Sequence, residues 1–158
     1  MNAYTWRTTV KPGILGHRGL IESLERAVKK NPKTIFFACH LTNQCTDLSS
    51  LGAILDSNAN LCADIGARYA ETARIPRFAS RFFDKYADRI LCGTDTGYDQ
   101  EMYRTTFRIL ETADEHFCIL RHQYHWRASG FNLSDALLRK IYREDALAAF
   151  VSAKRAMG

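Results

Sequence analysis

Three polar residues stand where parallel sheets do their chemistry. His40 closes the apolar run Thr34–His40, Asp64 lies near the end of Leu61–Ile65, and Asp95 falls just past Gly93, where the run Arg89–Gly93 breaks. In a parallel sheet such carboxyl ends point to one side, so the three side chains could share a cleft. A histidine beside a carboxylate suits general base work near neutral pH or ligation of a hard metal. The alternative is that these residues only hydrogen-bond loop backbone. Asp64, embedded before Ile65, has the further option of pairing with Arg68 or Arg74.

The elements that must position these residues follow from hydrophobic spacing. Leu20, Leu24, Ala27 and Val28 mark a helix that Asn31-Pro32 stops. Thr34–His40 is apolar without alternation, as a strand covered on both faces would be. The cycle then repeats, with a helix around Leu48, Leu51, Ile54 and Leu55, a turn at Asp56–Asn60 and a strand at Leu61–Ile65. A third helix runs from Pro76 to Tyr86 with Phe78, Phe82, Phe83 and Tyr86 on one face and proline suited to the first turn. Strand Arg89–Gly93 follows. Alternating helix and strand predicts a parallel α/β sheet with right-handed crossovers.

Gln100–Glu111 reads as a further helix, Ala113–Asn132 as a long irregular region, and Ser134 as the cap of a helical stretch to about Lys154, broken near Glu144. The first sixteen residues read as an irregular lead-in. His122 and His125, in the irregular region, have no acidic partner nearby and read as structural or loop-exposed. His17 and His116 carry no signal beyond their identity.

Composition narrows the classes. At 158 residues, 46% hydrophobic and 25% charged, the chain reads as one ordinary globular domain, residues 1–158. No apolar run reaches the roughly 20 residues that span a bilayer, and Met1–Arg7 lacks the apolar block of a secretory signal. The expectation is a soluble cytoplasmic protein with no membrane partner. The five cysteines form no C-x-x-C pair and read as free thiols of a reducing compartment. The net charge of +5 is spread over solvated helix faces such as Arg77/Arg81/Lys85, so nucleic acid is not the expected partner. No phosphate-binding glycine loop and no G-x-S-x-G elbow is present.

Taken together, the motifs resemble a known family. The succession Lys30–Leu41 (KNPKTIFFACHL), Asp64–Arg68 (DIGAR) and Arg81–Asp95 (RFFDKYADRILCGTD) is similar to the amidohydrolase-related metal-dependent hydrolases, in the branch that includes aminocarboxymuconate-semialdehyde decarboxylase. The tail Asn132–Leu147 resembles that family's closing segment, and the likeness runs from about Gly19 to Phe150. The family fold is a (β/α)₈ barrel holding a mononuclear divalent metal, commonly zinc, by an H-x-H pair, a further histidine and an aspartate. The resemblance implies that His40 is the sixth-strand histidine that acts on substrate or metal-bound water. It implies that Asp95 is the eighth-strand aspartate, catalytic and a metal ligand, and that Arg68 anchors substrate or loop.

The chain departs from that pattern too. It contains no H-x-H, and a barrel of this kind takes about 250 residues. The expected fold is therefore partial: the last three parallel strands of a TIM barrel with their helices, plus C-terminal helices. Two open sheet edges would favour self-association or complementation by another polypeptide. The function the resemblance implies is metal-dependent hydrolysis of a small-molecule substrate, with water activated at a mononuclear divalent metal, zinc in the intact fold, once the missing half is supplied; alone, the chain offers Asp95 as its one ligand. A non-catalytic assembly module and a decarboxylase of an unsaturated acid remain the alternatives.

Overall fold

The computed structural model describes residues 12–95, 97, 99–119 and 124–157. His122 and the first eleven residues of the irregular lead-in lie outside them. Helix α1 spans His17–Lys30 and stops where Asn31 turns back, its side-chain amide donating to Ala27 O at 2.8 Å, just before Pro32. Val28 is buried, with Ile21 and Leu24 partly buried in the same stripe, while Leu20 and Ala27 are exposed. That stripe starts one residue later than the expected one, because Ile21 sits three positions before Leu24 and shares its face.

The sheet has three parallel strands in the order β1-β2-β3: Phe36–Ala38, Leu61–Asp64 and Ile90–Leu91. Phe36 pairs with Leu61 and Ala63 with Ile90 in the register. Leu61, Ala63 and Ile90 are fully buried in one core with Leu51 and Leu55 of α2 (Leu48–Ser57) and Phe83 of α4 (Pro76–Lys85). Each such leucine, isoleucine or phenylalanine side chain contributes about 2 kcal/mol by leaving water. Helix α2 begins because the Asp47 carboxylate accepts from Ser50 N–H at 3.1 Å, and α4 begins on Pro76, whose missing N–H costs nothing in a first turn. A short helix that the hydrophobic spacing does not announce, α3 (Tyr69–Thr72), lies between them.

Arg89 ties the amino end of the sheet together. Its guanidinium donates to Asn58 O at 2.6 Å and to Leu61 O, satisfying carbonyls where α2 hands over to β2. Helix α5 (Gln100–Glu111), capped by Asp99, then leads into residues 112–119 and 124–133, where Phe117 and Ala128 form an antiparallel bridge. His116 and His125 are exposed there.

The expected helical break near Glu144 is instead a π-turn. Helix α6 (Asp135–Arg139) passes through Lys140–Glu144 into α7 (Asp145–Met157) without leaving the helical path. The turn also covers a strand edge, since Cys92 N–H donates to Ile141 O at 3.0 Å. As expected, β1 and β3 are both edge strands with no described strand beyond them; the turn covers the outer edge of β3, and that of β1 is left bare. Phe37 is 44% exposed, so β1 is covered on one face rather than on both. The fold is thus mixed α/β with a small parallel open sheet. No helix among the described residues is long and apolar enough to cross a membrane.

Candidate functional site

Each strand of the sheet ends in a loop that enters the left-handed region. His40 has φ 61°, Ala67 has φ 54° and Asp95 has φ 57°. Non-glycine residues visit that region at a cost, and they do so most where surrounding contacts over-determine the backbone. After β1 the effect extends over four residues, His40–Asn43, which form one left-handed turn.

The three loops are hydrogen-bonded to one another. Ala67 N–H donates to Thr94 O at 3.2 Å, which joins the loops after β2 and β3. The Asp64 carboxylate joins the loops after β1 and β2, because its Oδ1 accepts from His40 N–H at 3.0 Å and from Gly66 N–H at 2.8 Å. Asp64 therefore pairs with neither Arg68 nor Arg74. It holds backbone, the alternative its position left open. Gly66 is needed beside it, since a Cβ there would lie 2.9 Å from Asp64 Oδ1.

His40 and Asp95 are brought together. His40 Nε2 lies 3.8 Å from Asp95 Oδ2, with the two side chains 30% and 58% exposed. His40 Nδ1 lies 2.9 Å from the carbonyl oxygen of Gly66. A carbonyl can only accept, so Nδ1 carries a proton and the neutral ring keeps its lone pair on Nε2, towards Asp95. The 3.8 Å gap is too long for a direct hydrogen bond. A water or substrate hydroxyl placed off the line between them can touch both groups. The arrangement can take a proton at Nε2 and steady the resulting imidazolium with the Asp95 carboxylate.

Arg68 lies at the border of this site. Its Nη2 donates to Asn43 Oδ1 at 2.8 Å and its Nη1 to Glu71 Oε1 at 3.3 Å. Neither partner stands out in the sequence: Asn43 is only a polar residue after a strand, and Glu71 sits on a helix too short to show a period. Arg74 instead stacks over Trp126, 5.0 Å from the ring centre. The thiols that flank the site are held neutral. A hydrogen bond to Asp64, its charge and some burial push the Cys39 thiol up, and burial with the charge of Asp64 pushes Cys92 up to about 11. Neither is a thiolate nucleophile at neutral pH.

A mononuclear catalytic zinc takes three protein ligands and leaves a fourth position open. The described residues include no group of three histidine, cysteine or acidic side chains that could hold a metal ion. Asp64 is committed to two amides, which leaves Asp95 as the accessible carboxylate beside His40. By themselves these residues do not fit the family's metal. No family model, curated protein or solved structure matches the chain.

Proposed function

We propose that this chain carries the acid/base half of a hydrolase centre of the amidohydrolase type. The observation that carries the reading is the approach of His40 Nε2 to Asp95 Oδ2 at 3.8 Å, at the carboxyl end of a parallel sheet. The strand order β1-β2-β3 and the motifs around His40, Arg68 and Asp95 support placing the strands as the last three of a (β/α)₈ barrel. The substrate is a small molecule with a hydrolysable carbonyl or similar carbon, and the compartment is the reducing cytoplasm, in keeping with the free thiols Cys45 and Cys62 in the core.

In this reading His40 Nε2 removes a proton from water as its oxygen adds to the substrate carbon. The same proton then passes to the leaving group. Asp95 orients the water and offsets the charge on the imidazolium, and the Gly66 carbonyl keeps the ring from turning. A metal would need donors from a second polypeptide, with Asp95 as the ligand from this chain. A decarboxylase of an unsaturated acid would use the same pair in the opposite sense, His40 donating the proton.

The test is hydrolysis of a panel of activated esters and lactones by the wild type, His40→Gln and Asp95→Asn, with and without added zinc. Turnover lost in both variants supports the reading. Rates in both variants equal to a wild type that is faster than buffer would take the chemistry away from the His40–Asp95 pair and favour the second reading, an assembly module. What favours that alternative is the unpaired β1 edge with Phe37 exposed beside it.

A further inference from the structure

We propose that Arg68 is a positioning residue, whose guanidinium locks the left-handed turn that carries His40 and does not bind substrate. The proposal rests on His40 as the acid/base group and adds how its position is maintained. Left-handed backbone costs about 1–2 kcal/mol for each residue that has a Cβ. His40, Leu41, Thr42 and Asn43 all adopt it, with φ between 50° and 61°. Such a turn persists only where contacts hold it at both ends.

The last residue of β2 and the loop after it supply both. At the first end, His40 N–H donates to Asp64 Oδ1 at 3.0 Å. At the last, Asn43 Oδ1 accepts from Arg68 Nη2 at 2.8 Å. Between them Leu41 and Thr42 are buried, at 0% and 6% exposure, so the middle of the turn is packed while Asn43 itself is exposed. Among the described residues, only the Arg68 contact fixes that exposed end by a side chain.

The guanidinium has little left for a ligand. Nη1 donates to Glu71 Oε1 and, at 3.4 Å, to Ala67 O. Nε is shielded from solvent with no partner in the structure. Forked recognition of a substrate carboxylate needs two parallel N–H groups free on one edge. Here one edge holds the turn and Glu71 neutralises the charge. Without Arg68 the Asn43 end is released, the turn relaxes towards extended backbone, and His40 loses its hold on the Gly66 carbonyl.

The experiment is nuclear magnetic resonance of the full chain with nitrogen-labelled histidine, the His40 ring being identified by its loss in His40→Gln. Arg68→Ala and Asn43→Ala are each expected to erase the Nδ1–H pattern of His40 and to move its ring-nitrogen resonances by the same amount. The other histidines stay in place. The double variant moves His40 no further than either single one, and Asn43→Asp, which keeps an acceptor for Arg68, preserves the pattern. Unchanged His40 signals in both alanine variants would overturn the proposal. So would a change in Arg68→Ala with none in Asn43→Ala, because the guanidinium would then act on the ring by charge alone. Should Arg68→Ala fail to fold, Asn43→Ala decides the matter, since that side chain is exposed and outside the core. No turnover enters the readout, so the outcome stands apart from whether the chain proves to be a hydrolase.

Discussion

His40 Nδ1 stands 2.9 Å from the Gly66 carbonyl oxygen, while Nε2 faces Asp95 Oδ2 across 3.8 Å. In the proposed function one ring nitrogen is structural and the other chemical, and substitutions can separate them. Asparagine places an amide N–H near Nδ1 and tolerates φ 61° better than other residues with a Cβ. His40→Asn is expected to unfold in urea within about 1 kcal/mol of wild type, and His40→Ala to lose about 1–3 kcal/mol by orphaning a buried carbonyl. Both should abolish turnover. Equal stability losses would show that the Gly66 contact does not hold the ring.

Gly66 and Gly93 sit near each other beside Asp64 and make a matched pair. An added Cβ at Gly66 would lie 2.9 Å from Asp64 Oδ1, whereas at Gly93 it would lie 3.9 Å from Asp64 Cβ, an ordinary contact. Gly66→Ala is therefore expected to cost about 1–3 kcal/mol in urea unfolding, as overpacking does, and Gly93→Ala to stay within about 1 kcal/mol of wild type. Gly130→Ala should be worse than either, because its Cβ would meet the Thr112 carbonyl oxygen at 1.9 Å and the backbone cannot step aside. A Gly66→Ala protein as stable as Gly93→Ala would mean that Asp64 is not clamped as described.

Helix α5 and the three strand ends were legible because hydrophobic spacing acts locally. In α5, Met102, Thr106 and Leu110 recur at helical spacing on the buried side, while Tyr103 and Phe107, at the same spacing, are exposed; the Asp99 cap, which accepts from Glu101 N–H at 3.0 Å, is visible only in the structure. The meeting of His40, Asp64 and Asp95 was legible for a topological reason, the common direction of parallel strands. The duty of Asp64 was not, since it depends on two amides delivered by two different loops. Nor was the left-handed turn, in which Asn43 is the single residue with a local preference for that backbone. The π-turn at Lys140–Glu144 stayed hidden because one extra residue per turn slips the helical period without a glycine or proline to mark it. Whether Phe37 is covered depends on what lies beyond β1, which no local pattern encodes.

Asp145 makes stability depend on pH. It is 9% exposed, its Oδ2 has no hydrogen-bond partner, and burial with the nearby charge of Asp88 pushes its carboxyl up to about 6, although Lys140 pulls the other way. The unfolded chain releases this proton near 4, so between about 4 and 6 the native state binds more protons than the unfolded one. Stability from this group is present below about 4 and is lost as pH rises through about 6, a change of about 3 kcal/mol. Asp145→Asn removes the titration. Urea midpoints of wild type and variant should diverge from pH 4 to 7, with the variant gaining; parallel curves would rule out this role for Asp145.

The outer edge of β1 provides the last prediction. Phe36 N–H donates to Asn60 O at 2.8 Å, so the backbone groups of Phe36 and Ala38 face β2 and those of Phe37 face away from the sheet. No described strand pairs with them, and the Phe37 ring is 44% exposed beside that edge. An unpaired edge next to an exposed aromatic is a template for another strand. Wild type is expected to form dimers or larger species at micromolar concentration in light scattering. Phe37→Lys should shift it towards monomer with a melting temperature within a few degrees, because a charge on an edge strand blocks pairing while an exposed position loses little packing. A monomeric wild type would leave the β1 edge without the partner that its unpaired backbone calls for.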